Sequence, residues 1–260
     1  MNSTKDNHSA ISFVIAVNDQ QVCRKNALAS PDLYDGHQHQ VIMHLGYASA
    51  SLAYNDAIEN AQHDLIVFIH QDIYLPKNWV KKLHATVHDL DATGRPWGVL
   101  GCYGVSVQGR PAGNIYSNGL NRALGGCHAP VPVQSLDETV LILRKNSGIH
   151  FDPGLPSFHL YGTDICMTAK QKGLASYAIS NFCVHNSVAI KRLPAAFWQC
   201  AEYLRAKWQE KLPVKTCCVT LSPRRQRMWM SRFRAELDYY RGRRWNGQSR
   251  RLDDPQVAFS

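Results

Sequence analysis

Residues Asp64 to Pro76 read DLIVFIHQDIYLP. The apolar run Leu65–Ile69, rich in Ile, Val and Phe, predicts a strand buried on both faces, as in a parallel sheet. It leads directly into His70-Gln71-Asp72. A second apolar patch, Ile73-Tyr74-Leu75, follows before Pro76. A carboxylate at the C-terminal end of such a strand lies where open α/β sheets bind ligands, and it suits a metal-bound phosphate group. The same Asp72 also reads as a cap for a helix that opens after Pro76. The segment alone leaves both readings open.

Outward from this strand the pattern alternates. Ile11 to Val17, ISFVIAV, predicts a first buried strand ending at Asn18-Asp19. A helical stretch from Cys23 to Leu33, a His-rich turn, DGHQHQ, and Val41-Ile42-Met43 come next. Ser49 to Gln62 places Leu52, Ala53, Ala57, Ile58 and Ala61 on one helical face. Pro76 to Asp91 does the same with Trp79, Val80, Leu83, Val87 and Leu90, and Trp97 to Val107 predicts another strand. This order predicts an α/β fold, a mostly parallel twisted sheet with helices on both faces. No GxGxxG follows the first strand and no GxxxxGK[ST] occurs, which argues against a dinucleotide fold and a P-loop. Residues 108–133, rich in Gly, Pro and Asn, predict a long binding loop or lid. Beyond it come a strand at Val140–Leu143, a loop at Gly148–Ser157, a helix over His159–Lys172, and a last strand over Ala175–Val184 that runs into His185-Asn186-Ser187. A helix opening at Pro194 carries Phe197, Ala201, Leu204 and Trp208 on one face.

The chain has 260 residues, 45% of them hydrophobic, which suits one α/β domain with an appendage. No apolar stretch is long enough to span a bilayer, and the polar start MNSTKDNHSA lacks the pattern of a signal peptide. The expectation is a cytoplasmic protein, disordered over residues 1–10, with its eight cysteines reduced; none forms a CxxC pair. The net charge of +9 is concentrated at the C-terminus, where ten arginines between Arg224 and Arg251 face only Glu236 and Asp238. Residues 214–260 are therefore read as a basic extension to a neutral body. Trp229, Phe233, Tyr239, Tyr240 and Trp245 lie among the arginines, and Gly242 and Gly247 interrupt any single long helix. Three readings compete: an anionic membrane surface, where each Arg contributes about 1 kcal/mol; nucleic acid; or a helix packed on the body. Contact with an anionic membrane through residues 224–251, at the inner face, is the reading taken in preference to nucleic acid.

Three groups with chemistry fall at the ends of predicted elements. Asp72 and His185 end strands, and Asp164 stands at a helix start. A divalent cation on a diphosphate needs one or two carboxylates, sometimes an imidazole, and open positions for phosphate oxygens. Asp72 and His185 suit that role, and Asp164 suits a general base for an acceptor hydroxyl. Each also has a plain structural reading: Asp164 as a helix cap, His185 as a satisfied histidine, Asp137-Glu138 as a solvated turn.

The ordered segments SLAYNDAIENAQHDLIVF, FIHQDIYL, VLGCYGV, LDETVLILRK, FHLYGTDICMTAKQKGLASYAI, VHNS and AEYLRAKWQEKLP together resemble the large inverting family of GT-A-type glycosyltransferases, in its small bacterial glycosyltransferase-like branch. The resemblance covers roughly residues 11–213. FIHQDIYL is similar to the family's Asp-x-Asp segment, with His70 at the first acidic position and Asp72 kept; YGTD is similar to its Glu-Asp segment, with Thr163 in place of Glu. It implies a GT-A-like fold, a nucleotide-sugar donor, a divalent metal (Mn²⁺ or Mg²⁺), and transfer with inversion to a hydroxyl on a glycan or lipid-linked acceptor. It also implies roles: Asp164 as base; Asp72 and His185 on metal and diphosphate; Asn18, Asp19, Asn55, His70 and Gln71 near the nucleotide sugar; Asp137, Glu138, His159 and Tyr161 toward the sugar or acceptor. Two alternatives stand beside it. A sugar-phosphate nucleotidyltransferase would want a glycine-rich basic loop after the first strand, which AVNDQQVCRK does not supply. A nucleic-acid-binding module would rest on the Arg-rich tail alone.

Overall fold

The computed structural model describes residues 9–36, 38–190, 192–241 and 248–259. The first eight of the ten residues expected to be a disordered N-terminus lie outside the described residues, as do His37, Arg243, Arg244 and Trp245.

In chain order the strands are β1 (Ser12–Val17), β2 (Gln40–Leu45), β3 (Leu65–His70), β4 (Ile73–Tyr74), β5 (Trp97–Gly101), β6 (Tyr103–Ser106), β7 (Pro111–Ser117), β8 (Arg122–Gly125), β9 (Val131–Leu136), β10 (Val140–Arg144), β11 (Ala175–Ala178), β12 (Cys183–His185), β13 (Val214–Lys215) and β14 (Thr220–Leu221). The helices are α1 (Gln20–Lys25), α2 (Ala50–Asn60), α3 (Trp79–Ala92), α4 (Tyr161–Gln171), α5 (Ala195–Lys207) and α6 (Arg225–Tyr240).

Among the described residues twelve strands form one sheet in the order β2-β1-β3-β10-β5-β11-β9-β6-β7-β12-β4, with β8 paired to β7. The α/β class and the helices on both faces are as expected. The sheet itself is mixed. β2, β1 and β3 run parallel, as do β5 with β11 and β7 with β12. β10 runs antiparallel between β3 and β5, and β6, β7 and β8 form an antiparallel meander. Short connections dictate the direction of the β6-β7-β8 meander, because only antiparallel neighbours can be joined by a tight turn.

The run Leu65–Ile69 is buried throughout, and its side chains alternate between two cores. Ile66 and Phe68 join Val14, Leu141, Leu143 and the helices α2, α4 and α5. Leu65, Val67 and Ile69 join Phe13, Ile15, Val140, Ile142 and the apolar side of α3. A strand with helices over both faces needs apolar residues at every position, which explains the unbroken run. On the first face Tyr54, Phe68, Phe151 and Tyr161 form an aromatic box with ring centroids 4.7–6.0 Å apart. Tyr54 is thus buried on α2, whereas Leu52, expected on that face, is 43% exposed.

The stretch expected as a loop, residues 108–133, is instead largely β7, β8 and the start of β9. Its glycines serve close strand approach. Gly113 has φ +108°, and a Cβ there would run into the Cys102 carbonyl; a Cβ on Gly125, φ +84°, would run into the backbone of Gly113. The strand expected over Trp97–Val107 is broken at Cys102 into β5 and β6, and the last strand, Ala175–Val184, is broken into β11 and β12. The boundary drawn at residue 213 is not a break in packing. Val214, Leu221, Met228 and Ala235 belong to the same core as α2 and α4. The basic tail is likewise not one unit: α6 exposes Trp229 and Phe233, stacked at 5.6 Å, whereas residues 248–252 return to the body and hydrogen-bond with it. Among the described residues no helix is long and apolar enough to cross a membrane.

Gly113→Ala is expected to lower stability by roughly 3 kcal/mol, since the residue is held at positive φ against a carbonyl. Thermal or urea unfolding reads this directly, and an unchanged midpoint would contradict the assignment of 111–117 as a strand in this register.

Candidate active site

The parallel strands β1 and β3 end side by side, and Gln71 ties them. Its side-chain oxygen accepts hydrogen bonds from the backbone N–H groups of Asn18 (3.0 Å) and Asp19 (2.9 Å), and its amide donates to the Asn18 side chain. Asp19 caps α1 by accepting from the N–H groups of Gln21 and Val22. A cleft of about 510 Å³ opens above these strand ends, walled by Asn18, Gly46, Tyr47, His70, Gln71 and Asp72. Its size suits a small-molecule ligand.

His70 and Asp72, on the wall of this cleft, converge with His185, each of the three offering a ligand atom within 4.8 Å of the others. The ladder between β4 and β12 sets two of them together. His185 pairs with Ile73 in register, and the Asn186 N–H donates to the Asp72 carbonyl (2.9 Å). His185 Nε2 lies 3.5 Å from the Asp72 carboxylate. Burial opposes the charge on Asp72, but His185, and behind it His70 and Arg251, outweigh burial and hold the carboxyl well below the usual range. Burial likewise works against a charged His185, and the Asp72 carboxylate overcomes it and raises the imidazole above its ordinary value. Burial wins at His70, whose pKa is lowered, so it is a neutral imidazole near pH 7.

His70 Nε2 and the Tyr161 hydroxyl lie 2.8 Å apart, and the same hydroxyl lies 3.2 Å from the Glu138 carbonyl. Where Nε2 carries the ring proton and Tyr161 accepts it, Nδ1 is left with a free lone pair. A histidine steadied through its other ring nitrogen is the usual support of a metal ligand. Glu138 lies beneath this chain, and burial, with the charge of Asp137, pushes its carboxyl up to about 8.

His185 lines a second cleft of about 380 Å³, together with Tyr103, Arg122, Asp137, Thr139 and Cys217. The His-Asp-His cluster therefore stands between two clefts. A roomier hollow of about 790 Å³, between α4, β9 and β11, is lined by none of these residues and has largely apolar walls, so the titratable cluster, not size, locates the site.

Most residues expected at the site gather here: Asn18, His70, Gln71 and Asp72 on the first cleft, Asp19 beside it, Asp137 and His185 on the second, and Glu138 and Tyr161 beneath. His159 packs on Phe197 with ring centroids 5.8 Å apart, and burial, with the nearby His70, lowers its pKa. Two of the expected residues line neither cleft. The Asn55 side chain makes a reciprocal pair with the Phe151 backbone, donating to the carbonyl (2.8 Å) and accepting from the N–H (2.9 Å). Asp164 is enclosed where α4 meets α5. Its side chain is 2% exposed, Lys207 Nζ sits 2.8 and 2.9 Å from its two oxygens, and Trp208 Nε1 donates to it at 2.6 Å. Burial pushes its pKa up against the pull of Lys207 and Trp208. Lys207 also reaches Asp152 at 2.7 Å. Asp164 thus fastens α4 to the end of α5. A lysine and a tryptophan at the C-terminal end of the α5 pattern were the signal for this tie. Arg251, 3.7 Å from Asp72, carried no sequence signal of its own among the tail arginines.

No protein-family model matches the chain. It is 28% identical over 134 residues to the "ATP synthase subunits region ORF 6" protein of Fuscovulum blasticum, a match covering 48% of this chain and 52% of that one; the chain thus spans about half the length of the curated relative it matches. Among solved structures it is similar to S. aureus TarS 1–349 (TM-score 0.44, 13% identity, 90% of this chain and 73% of that one). It is also similar to the mannosyltransferase PcManGT of Pyrobaculum calidifontis, solved in complex with GDP-Man and Mn²⁺ (TM-score 0.48, 11% identity, 90% and 71%).

If Asp164 is a structural tie, Asp164→Ala destabilises the protein by about 3 kcal/mol, the usual result of stripping one partner from a buried ion pair. A variant that melted like the wild type yet had lost all turnover would return Asp164 to the role of base.

Proposed function

We propose that this protein transfers a glycosyl group from a nucleotide-sugar donor to an acceptor hydroxyl, with inversion. The observation that carries the reading is the His70–Asp72–His185 cluster on the wall between two clefts. The donor occupies the cleft over β1 and β3, its nucleoside toward Asn18 and Gln71 and its diphosphate toward Asp72. The acceptor occupies the cleft beside Asp137.

The cluster fits a divalent cation: one carboxylate, two imidazoles, and a hydroxyl that fixes one ring. Two nitrogen donors suit Mn²⁺ better than Mg²⁺, which prefers an all-oxygen shell. His70, Asp72 and His185 would hold the ion, and when bound it would neutralise charge developing on the departing diphosphate.

The chain's own residues do the rest. Asp137 takes the proton from the acceptor hydroxyl as its oxygen bonds to the anomeric carbon. The bond from that carbon to the diphosphate oxygen breaks, and its electron pair leaves with the nucleoside diphosphate. One displacement from the opposite face inverts the centre. Asp137 replaces Asp164 in this role because it lines the cleft beside His185, whereas Asp164 is enclosed. Glu138, holding its proton up to about pH 8, keeps a second negative charge away from Asp137 at neutral pH.

A panel of nucleotide sugars tested with Mn²⁺ by thermal shift should contain at least one that stabilises the protein, by about 2.7 kcal/mol at a hundred times its Kd. Asp72→Ala should lose that effect. With that donor, Asp137→Asn should keep donor affinity and lose roughly 10²–10⁴-fold in turnover. A panel in which nothing stabilises the wild type would sink the proposal.

Mn²⁺ affinity should also depend on pH in a defined direction. Asp72 raises the His185 pKa above its ordinary 6.5. Below that raised value a proton occupies the nitrogen that a metal needs, so binding releases a proton. Affinity should therefore climb as pH rises through and beyond 6.5, and His185→Ala should flatten the profile. Equal affinity across that range would remove His185 from the ligand set.

A further inference from the structure

We propose that Arg251, delivered by the C-terminal segment 248–259, is a phosphate-binding residue of the donor site. The inference rests on the nucleotide-sugar reading above and adds to it a residue from outside the core of the fold.

The segment is held to the body at several points along its length. The Ala189 N–H donates to the Gln248 carbonyl (2.8 Å), and the Asn118 side chain donates to the Arg250 carbonyl (2.9 Å). Asn186, 0% exposed, clasps Leu252 in both directions: its amide donates to the Leu252 carbonyl (2.9 Å), and its oxygen accepts from the Leu252 N–H (2.7 Å). Farther on, Phe259 stacks on Tyr74 with centroids 6.1 Å apart and meets the edge of Phe182. Asn186 is the residue after His185, and Tyr74 follows Asp72 by two. The segment is therefore clamped close to two residues of the cluster, and Arg251 lies between the two clasped carbonyls of Arg250 and Leu252.

That placement fixes a permanent cation beside Asp72. The guanidinium lies 3.7 Å from the carboxylate, beyond hydrogen-bond length, and 37% of the side chain is exposed. It is held near the carboxylate without being consumed by it. A guanidinium offers five N–H donors in a planar fork that matches phosphate oxygens.

Charge supplies the reason for a cation here. The diphosphate of a nucleotide sugar carries one negative charge on each phosphate. A divalent ion held by Asp72 and two neutral imidazoles leaves one positive charge unspent. Arg251 supplies another, so that ion, carboxylate and arginine together balance the diphosphate. The arginine would also meet the additional charge that appears when the nucleoside diphosphate leaves.

The test uses the full chain, titrated calorimetrically with UDP and GDP in the presence of Mn²⁺, and with Mn²⁺ alone. Arg251→Ala should weaken nucleoside diphosphate binding about tenfold or more, and Arg251→Lys should recover part of the loss. Arg227→Ala, which removes the same charge from the exposed side of α6, should bind as wild type does. Mn²⁺ alone should bind all four proteins within a few-fold. If the wild type binds a nucleoside diphosphate and Arg251→Ala binds it equally well, this inference fails and the donor-site reading stands. If Arg251→Ala binds nucleotide or Mn²⁺ more tightly, Arg251 blocks the site and the inference fails. A wild type that binds neither nucleotide overturns the donor reading and this inference with it.

Discussion

The contact between Asp72 and His185 is the constraint on which the rest of the site depends. The two residues come from strands more than a hundred positions apart, and the short β4–β12 ladder brings them together at 3.5 Å. Both are largely enclosed, so neither charge is cheap by itself. Each corrects the other: the carboxylate keeps its charge because of the imidazole, and the imidazole's affinity for a proton is raised by the carboxylate. Asn186, next in sequence, extends the same junction to the C-terminal segment and to Asn26 at the end of α1. Four parts of the chain thus meet at one point, and the two clefts are defined by which side of that point they lie on.

The fold was legible in the sequence wherever burial on both faces dictated composition. The run Leu65–Ile69 has no alternative as an exposed element, and the helices over Ser49–Gln62 and Pro76–Asp91 follow from their spacing. The meander β6-β7-β8 was not legible, because its glycines carry two opposite meanings. Gly113 and Gly125 look like loop residues, yet they lie within strands whose backbones approach too closely for a side chain. The ordered trio Asp72, Asp164, His185 was legible as chemistry, but only two of the three meet. Nothing in YGTD distinguishes a carboxylate aimed at a cleft from one aimed at Lys207. The difference lies in α5, forty residues away, and is a matter of packing. Asn55 is a parallel case, since an asparagine that satisfies a buried backbone segment looks no different in sequence from one that binds a ligand.

The acidic groups near the site divide by environment into distinct states. Asp164 and Asp152 share Lys207 and serve the junction of α4 and α5. Glu138 is neutral at pH 7 because burial and Asp137 leave no room for a second charge. Asp72 is ionised because cations surround it. Among the described residues Asp137 alone combines an acidic side chain with a place on the wall of the second cleft. Sorting the carboxylates by partner and burial, rather than by sequence position, moves the proposed base from α4 to the turn between β9 and β10.

On the proposed reading, replacing an acid by His70 changes more than the identity of one ligand. Two carboxylates would cancel the charge of a divalent ion, and such a site would hold the ion strongly without substrate. One carboxylate and two imidazoles leave the ion–protein unit positive, and the imidazoles give it up more readily to protons. Cation and diphosphate then depend on each other: the ion needs phosphate oxygens to complete its shell, and the diphosphate needs the ion's residual charge. The arginine beside the carboxylate adds a planar fork of donors that comes into use once a diphosphate lies in the cleft. The three residues that make the empty site a modest metal binder, joined by the arginine, thereby make the filled site a selective one, because only a ligand with adjacent negative charges meets all of its cations at once.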